Sequence, residues 1–402
     1  MSTIVRTAAL AAALGTIFAV LGGCATSSDR SATPSAPATT AAPATAAAPA
    51  AAASDGRWQA QAALPHRSLA SFAKSNPNQA CYDRNKEPYT PIVDAHFHPR
   101  PFGGQAIPPQ ELFGYFDKLG VRFVNYFGIG QSLDMRSACT YYLDCPGTSA
   151  LPSIKNDFVN GSEVKVLPHP NLHITLSMTF MDLAHPEDIV KTIELYDKEF
   201  PGMFKWSGEI NVVKQALVPN KHEPATIQSI DRWAPFMKVL RDRGIPVTLH
   251  MDLGSDAEPT KNVYLMKHIL QKYPDNKIVW AHAGLSKELQ HMDPTQHVSL
   301  MREAFKLSQN VLLDISWDVL YNAYHEFGPI FIAFFDEYPD RILPGSDFVA
   351  ARNKSFDQYA KEFEITSRVL KSVSDEEFRR IALGENYFRL MNLDYRAPEI
   401  CK

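Results

Sequence analysis

From about Pro91 the chain alternates short apolar, β-branched runs with longer amphipathic segments, the pattern of parallel strands joined by crossover helices. Eight runs read as strands: Pro91 to His98, Val121 to Gly128, Leu172 to Phe180, Met203 to Asn211, Pro246 to Asp252, Ile278 to Ala283, Val311 to Trp317 and Ile342 to Phe348. Between them the helical period predicts helices over Pro109 to Leu119, Pro186 to Phe200, Ile227 to Arg243, Val263 to Tyr273, Gln296 to Leu307 and Pro329 to Tyr338. Eight such units predict an α/β fold closed into a (β/α)8 TIM barrel. An open doubly wound sheet competes with it, but no GxGxxG follows any strand run, so the closed barrel is preferred. The tail from Phe356 to Leu393 reads as a C-terminal helical extension, with Ser374 and Glu377 spaced as a capping box. One connection is long, roughly forty residues from Ile129 to Pro170. It leaves the C-terminal end of a strand, where barrel enzymes do their chemistry, and its Arg136, Tyr141, Tyr142, Asp144 and cysteine pair read as a lid.

Upstream of the barrel the pattern changes. Arg6 precedes an apolar run from Thr7 to Leu21 that ends in Leu21-Gly22-Gly23-Cys24, a signal-peptide layout shorter than the ~20 apolar residues of a spanning helix. Those four residues resemble a bacterial lipobox, which implies cleavage before Cys24 and lipid attachment to it, holding the protein on a membrane of the cell envelope, facing the periplasm or the exterior. The expected organisation is a signal peptide over 1–23, an Ala/Pro/Thr-rich disordered tether over 24–56, an N-terminal extension over 57–90 and the barrel domain over 91–402. Export is disulfide-permissive, and the remaining Cys81, Cys139, Cys145 and Cys401 allow three pairings. Cys139 and Cys145 share one loop while Cys81 and Cys401 flank the domain, which favours those two pairs. Across 402 residues the net charge is only -4, so no basic surface points to nucleic acid; a small-molecule substrate is the expected partner, and a homo-oligomer remains open.

The chemistry-bearing residues fall at strand ends. His96 and His98 end the first run two residues apart, so both project into the barrel, separated by roughly 7 Å of rise. His250, His282 and Asp347 end the fifth, sixth and eighth runs, and Glu209 lies on the fourth. Closing a barrel gathers strand ends around one mouth, so four histidines and two carboxylates would share a small volume. Imidazole and carboxylate suit zinc, manganese, iron or nickel, and burying so many ionisable groups without a cation would be costly. A divalent cation acidifies water and polarises a carbonyl or phosphoryl oxygen, and Asp347 would take the proton from that water and pass it to the leaving group.

This set resembles the ligands of the amidohydrolase superfamily over about Pro91 to Asn392. The resemblance implies that His96, His98 and Asp347 bind a more buried metal, that His250 and His282 bind a second, and that Glu209, similar to the fourth-strand glutamate of TatD-like members, bridges them; the expected cofactor is one or two divalent ions, zinc first among them. Lys205 competes for the bridging place, but the four residues between it and Glu209 span roughly 13 Å, so only one can stand level with the metals. Arg136, Lys214 and Trp317 are candidate substrate contacts, and Trp206, Trp280 and Asp252 either line the site or pack beneath it. Pro344-Gly345-Ser346-Asp347 and Ala281-His282-Ala283-Gly284 resemble the amidohydrolase-related branch. That implies hydrolysis of an ester, lactone, amide or phosphoester, with a one-metal decarboxylase and a non-catalytic envelope binding protein as alternatives.

Overall fold

The computed structural model describes residues 67–68, 81–134 and 136–402; the expected signal peptide, Cys24 and the tether lie outside the described residues. Parallel strands β1 (Val93–His98), β2 (Phe123–Tyr126), β3 (His173–Met178), β4 (Phe204–Val213), β5 (Val247–Met251), β6 (Ile278–Trp280), β7 (Val311–Asp314) and β8 (Ile342–Leu343) pair in chain order. Their side chains are almost all buried, as expected of parallel strands covered on both faces. The eighth run breaks in two: β8 pairs with β7, while β9 (Phe348–Val349) pairs with β1. The residues between them close the barrel, since Ala95 N–H donates to Pro344 O at 3.0 Å and Asp347 N–H to His96 O at 2.8 Å. A Cβ on Gly345 would stand 2.7 Å from the His96 Cβ, so glycine is what lets this segment lie against β1.

Helices α1 (Pro109–Leu119), α2 (Lys155–Val166), α3 (Ile189–Glu199), α4 (Ile227–Asp231), α5 (Ala234–Asp242), α6 (Val263–Lys272), α7 (Pro294–Leu307) and α8 (Val319–Glu337) accompany the strands. Two expectations need correction. The helix expected over Ile227 to Arg243 divides into α4 and α5, because Pro235 supplies no N–H to continue α4 and instead occupies the first turn of α5. The helix expected from Pro329 starts at Val319 and carries the proline inside it; Asn322, His325 and Glu326 interrupt the apolar pattern upstream and hide its true start. The C-terminal extension forms α9 (Phe356–Ser367), α10 (Asp375–Ile381) and α11 (Glu385–Met391), and Ser374 with Glu377 makes the expected capping box.

The long connection is built rather than loose. Gln131–Leu133 pairs antiparallel with Ala150–Pro152, and α2 follows. The α2 helix buries Asn156, Asp157, Asn160 and Gly161 rather than an apolar stripe, so hydrophobic periodicity gave no sign of it. Asp157 anchors it, accepting from Thr179 N–H at 2.6 Å, Thr179 Oγ1 at 2.7 Å and Tyr196 OH at 2.6 Å. A Cys139–Cys145 disulfide lies within the hairpin loop. A second disulfide, Cys81–Cys401, joins the two flanks of the barrel beside a short parallel pairing of Cys81–Tyr82 with Glu399–Ile400. Among the described residues no helix is long and apolar enough to cross a membrane.

Candidate metal centre

At the C-terminal mouth of the barrel, β1 delivers His96 and His98 with their Nε2 atoms 3.2 Å apart. The outer nitrogens fix the tautomers. His96 Nδ1 donates to Asp314 Oδ2 at 2.5 Å and His98 Nδ1 to Phe127 O at 3.2 Å, so both Nε2 atoms face inward as the nitrogens that would take a metal. His282 follows the same rule: Nδ1 donates to Ser316 O at 3.2 Å, and Nε2 is buried with no hydrogen-bond partner among the described residues. His250 is turned around, with Nε2 donating to Asp252 Oδ1 at 3.0 Å and Nδ1 facing Glu209 Oε1.

Two carboxylates complete the set. Glu209 Oε2 lies 3.4 Å from His98 Nε2 and 3.7 Å from His96 Nε2; its Oε1 contacts His250 Nδ1 and lies 3.5 Å from His282 Nε2. Asp347 Oδ1 is 3.0 Å from His98 Nε2 and 3.3 Å from His96 Nε2, and Oδ2 is 3.9 Å from His282 Nε2. A Cβ on Gly208 would stand 2.2 Å from Thr248 O, and this close approach to β5 sets Glu209 beside His250. Lys205 is exposed near the start of β4, four residues before the buried Glu209.

Local backbone geometry departs from the simple strand-end expectation. The β6 strand stops at Trp280, and His282 sits in the turn beyond it with φ of 55°. Asp347 (φ 57°) occupies the gap between β8 and β9, and Trp317 (φ 73°) follows β7. Left-handed backbone at a non-glycine residue costs about 1–3 kcal/mol, a cost that clusters at functional sites and is held here by surrounding hydrogen bonds.

Electrostatics favour ionised carboxylates. Burial pushes Glu209 up, but Lys214 and His250 outweigh it and hold the carboxyl well below its ordinary range. Burial also pushes Asp347 up, yet the positive charge of His96, which Asp314 and Asp347 hold protonated until a cation takes its place, keeps it well below the carboxylate range. The donor set fits a divalent cation. Two imidazole Nε2 atoms face each other across 3.2 Å, a third buried imidazole nitrogen lacks a partner, and two anionic carboxylates converge on them. His96, His98, Glu209 and Asp347 form one such group, and Glu209, His250 and His282 another.

A cavity of about 370 Å³ opens onto the centre, with His98, Asp347, Lys214 and Trp317 in its wall. Lys214 is buried, its Nζ 3.4 Å from Glu209 Oε1. Tyr141 and Tyr142 from the disulfide loop also line the cavity. Arg136 does not: it is 92% exposed and paired with Asp134 at 2.9 Å, so its place as a substrate contact is corrected. It lies on the solvent side of the hairpin loop while the tyrosines face inward. Trp206 and Trp280 belong to the core, donating to Thr248 Oγ1 and Met251 O. Sequence reasoning passed over Asp314, whose signal was only its place at the end of β7. It also passed over Asp94, which accepts from Ser346 N–H (2.9 Å), Ser346 Oγ (2.7 Å) and Tyr359 OH (3.0 Å) and so fastens the Asp347 segment.

Comparison with known proteins agrees with this geometry. Residues 209–386 match the family model described as amidohydrolase. No curated protein matches the chain. Among solved structures, an amidohydrolase from Burkholderia multivorans with bound zinc is similar in fold, with a TM-score of 0.50 at 14% identity over 75% of this chain and 99% of that one. A dihydroorotase from Saccharomyces cerevisiae in complex with 5-fluoroorotic acid aligns with a TM-score of 0.48 at 10% identity over 76% of this chain and 85% of that one. The matched segment begins at Glu209 and includes His250, His282 and Asp347, while His96 and His98 join them through the barrel's closure. With residues 209–386 matching the amidohydrolase family model and a buried histidine–carboxylate set at the barrel mouth, the chain is, at this general level, an enzyme of the metal-dependent hydrolase kind.

Proposed function

We propose that the protein hydrolyses an ester, lactone, amide or phosphoester bond of a small molecule at a two-ion centre, zinc first among the candidate metals. One observation carries the reading: the two oxygens of Glu209 face two separate nitrogen sets, His96 with His98 and His250 with His282. A one-metal decarboxylase would leave one of those sets without an occupant. Divalent ions held there would supply Lewis acidity toward the scissile group and make water more acidic.

The chain's own residues do the rest. Asp347 belongs to the ligand set and also lines the cavity, and it is ionised at neutral pH, so it is placed to accept the attacking water's proton and return it to the leaving group. Lys214 lines the same cavity and stays charged: burial lowers its affinity for the proton, but Glu209 and Asp347 more than restore it. Its ammonium offers a fixed positive charge toward negative charge developing on the substrate. Asp252 and Asp314 hold the His250 and His96 rings in the tautomers described above.

The test is turnover by zinc-loaded protein against a panel of esters, lactones, amides and phosphoesters, with carbon dioxide release followed in parallel. Hydrolysis of one class without carbon dioxide supports the reading. Carbon dioxide release favours the decarboxylase, and no turnover of any class favours a binding protein. We also propose export and lipid attachment at Cys24; the two disulfides support an oxidising compartment. Fatty-acid labelling that persists in Cys24→Ala would remove that proposal.

A further inference from the structure

We propose that Lys287 is the recognition cation of this site and that the substrate is a planar small molecule carrying one anionic group, such as a carboxylate; the proposal rests on the hydrolase reading. Three lysines line the cavity. Two already have carboxylate partners, Lys214 with Glu209 at 3.4 Å and Lys354 with Glu362 at 3.2 Å. Lys287, half-buried on the segment after His282, forms no ion pair among the described residues. Its Nζ lies 5.8 Å from the centre of the Tyr141 ring and 5.9 Å from that of Trp317. Two π faces steady the ammonium without satisfying its N–H donors, which leaves those donors for a ligand.

The flanking rings are themselves fixed. Tyr141 sits inside the Cys139–Cys145 loop with its ring 4.7 Å from Tyr142 and 5.7 Å from Phe102. Trp317 packs on His282 at 4.9 Å and His250 at 6.2 Å, so the aromatic wall continues into the metal centre. Rings of this kind pack best against a flat apolar body. Asp144 and Asp318 also line the cavity and disfavour a second anionic group. A volume of about 370 Å³ suits a small-molecule ligand.

Calorimetry on the zinc-loaded full chain tests this with two flat probes that differ in charge, 2-naphthoate and 2-naphthamide. We expect the wild type to bind the naphthoate at least about tenfold more tightly than the amide. Lys287→Gln should lose about tenfold in naphthoate affinity with naphthamide affinity unchanged, and Lys287→Arg should keep the preference. Naphthoate binding that is equal in wild type and Lys287→Gln overturns the proposal, because the anion then binds at the metal ions. Absence of any preference in the wild type overturns it as well. Zinc content measured on the same samples separates the two readings: a protein that takes up no zinc fails as a hydrolase, whereas Lys287-independent binding to a zinc-loaded protein defeats only this proposal.

Discussion

Asp314→Asn is the substitution whose effect follows most closely from the geometry. Both carboxylate oxygens of the buried Asp314 act as acceptors, Oδ2 for His96 Nδ1–H at 2.5 Å and Oδ1 for Ser316 N–H at 2.6 Å. Burial pushes this carboxyl up, but His96 outweighs it and the net shift is downward, so the group is an anion at neutral pH. Asparagine keeps one acceptor and adds an NH2 that has to face either Ser316 N–H or His96 Nδ1. If it faces His96, the ring proton moves to Nε2, the nitrogen 3.2 Å from His98 Nε2, and the lone pair that would take the metal is lost. If it faces Ser316, two buried donors oppose each other, at about 1–3 kcal/mol of stability. Loss of such a supporting carboxylate lowers metal affinity about 10–100-fold, or about 1.4–2.7 kcal/mol. Zinc affinity measured by competition with a chromophoric chelator, with circular dichroism to verify folding, decides the matter. A folded Asp314→Asn protein that binds zinc within about twofold of wild type would refute the tautomer argument.

Other consequences can be checked separately. Asp347→Asn should fold and lose about 10²–10⁴ in kcat on any substrate the panel identifies; steady-state kinetics showing an unchanged kcat would take Asp347 out of the mechanism. Asp157 should give a pH-dependent stability. Burial pushes its carboxyl up to about 7, with the bonds from Thr179 and Tyr196 offsetting part of the rise. The unfolded group titrates near ~3.9, so between about pH 4 and 7 the folded state holds the extra proton and stability falls as pH rises. At about 1.36 kcal/mol per pH unit, the stability of wild type relative to Asp157→Asn should fall by about 4 kcal/mol across that window in urea unfolding; a difference independent of pH would contradict it. Serine at both Cys81 and Cys401 opens a link across 320 residues and should lower stability by about 2–5 kcal/mol, read as a lower urea midpoint.

Much of this molecule was legible because its signals are strong and local. Most residues of each barrel strand are buried, and the ligands lie within or just beyond the predicted strands, so strand order alone predicts their meeting at one mouth. Where reading failed, the controlling physics was tertiary. The α2 helix buries Asn156, Asp157 and Asn160 against partners distant in sequence, a pattern with no apolar period. The break between β8 and β9 depends on the close approach of Gly345 to His96, a contact between residues 249 positions apart. Asp314 and Asp94 look like ordinary strand-end and strand-interior acids until the fold brings His96 and Ser346 to them. Arg136 was misplaced for the opposite reason: being on the right loop does not say which side of the loop faces the cavity.

His96, His98, Glu209, His250, His282 and Asp347 are expected to hold divalent ions together. Zinc loading followed by gel filtration and elemental analysis tests this most directly, with His96→Ala and His282→Ala as companions. About two equivalents of zinc per wild-type chain and a loss in each variant are expected. Wild-type protein that emerges folded and without zinc would contradict this.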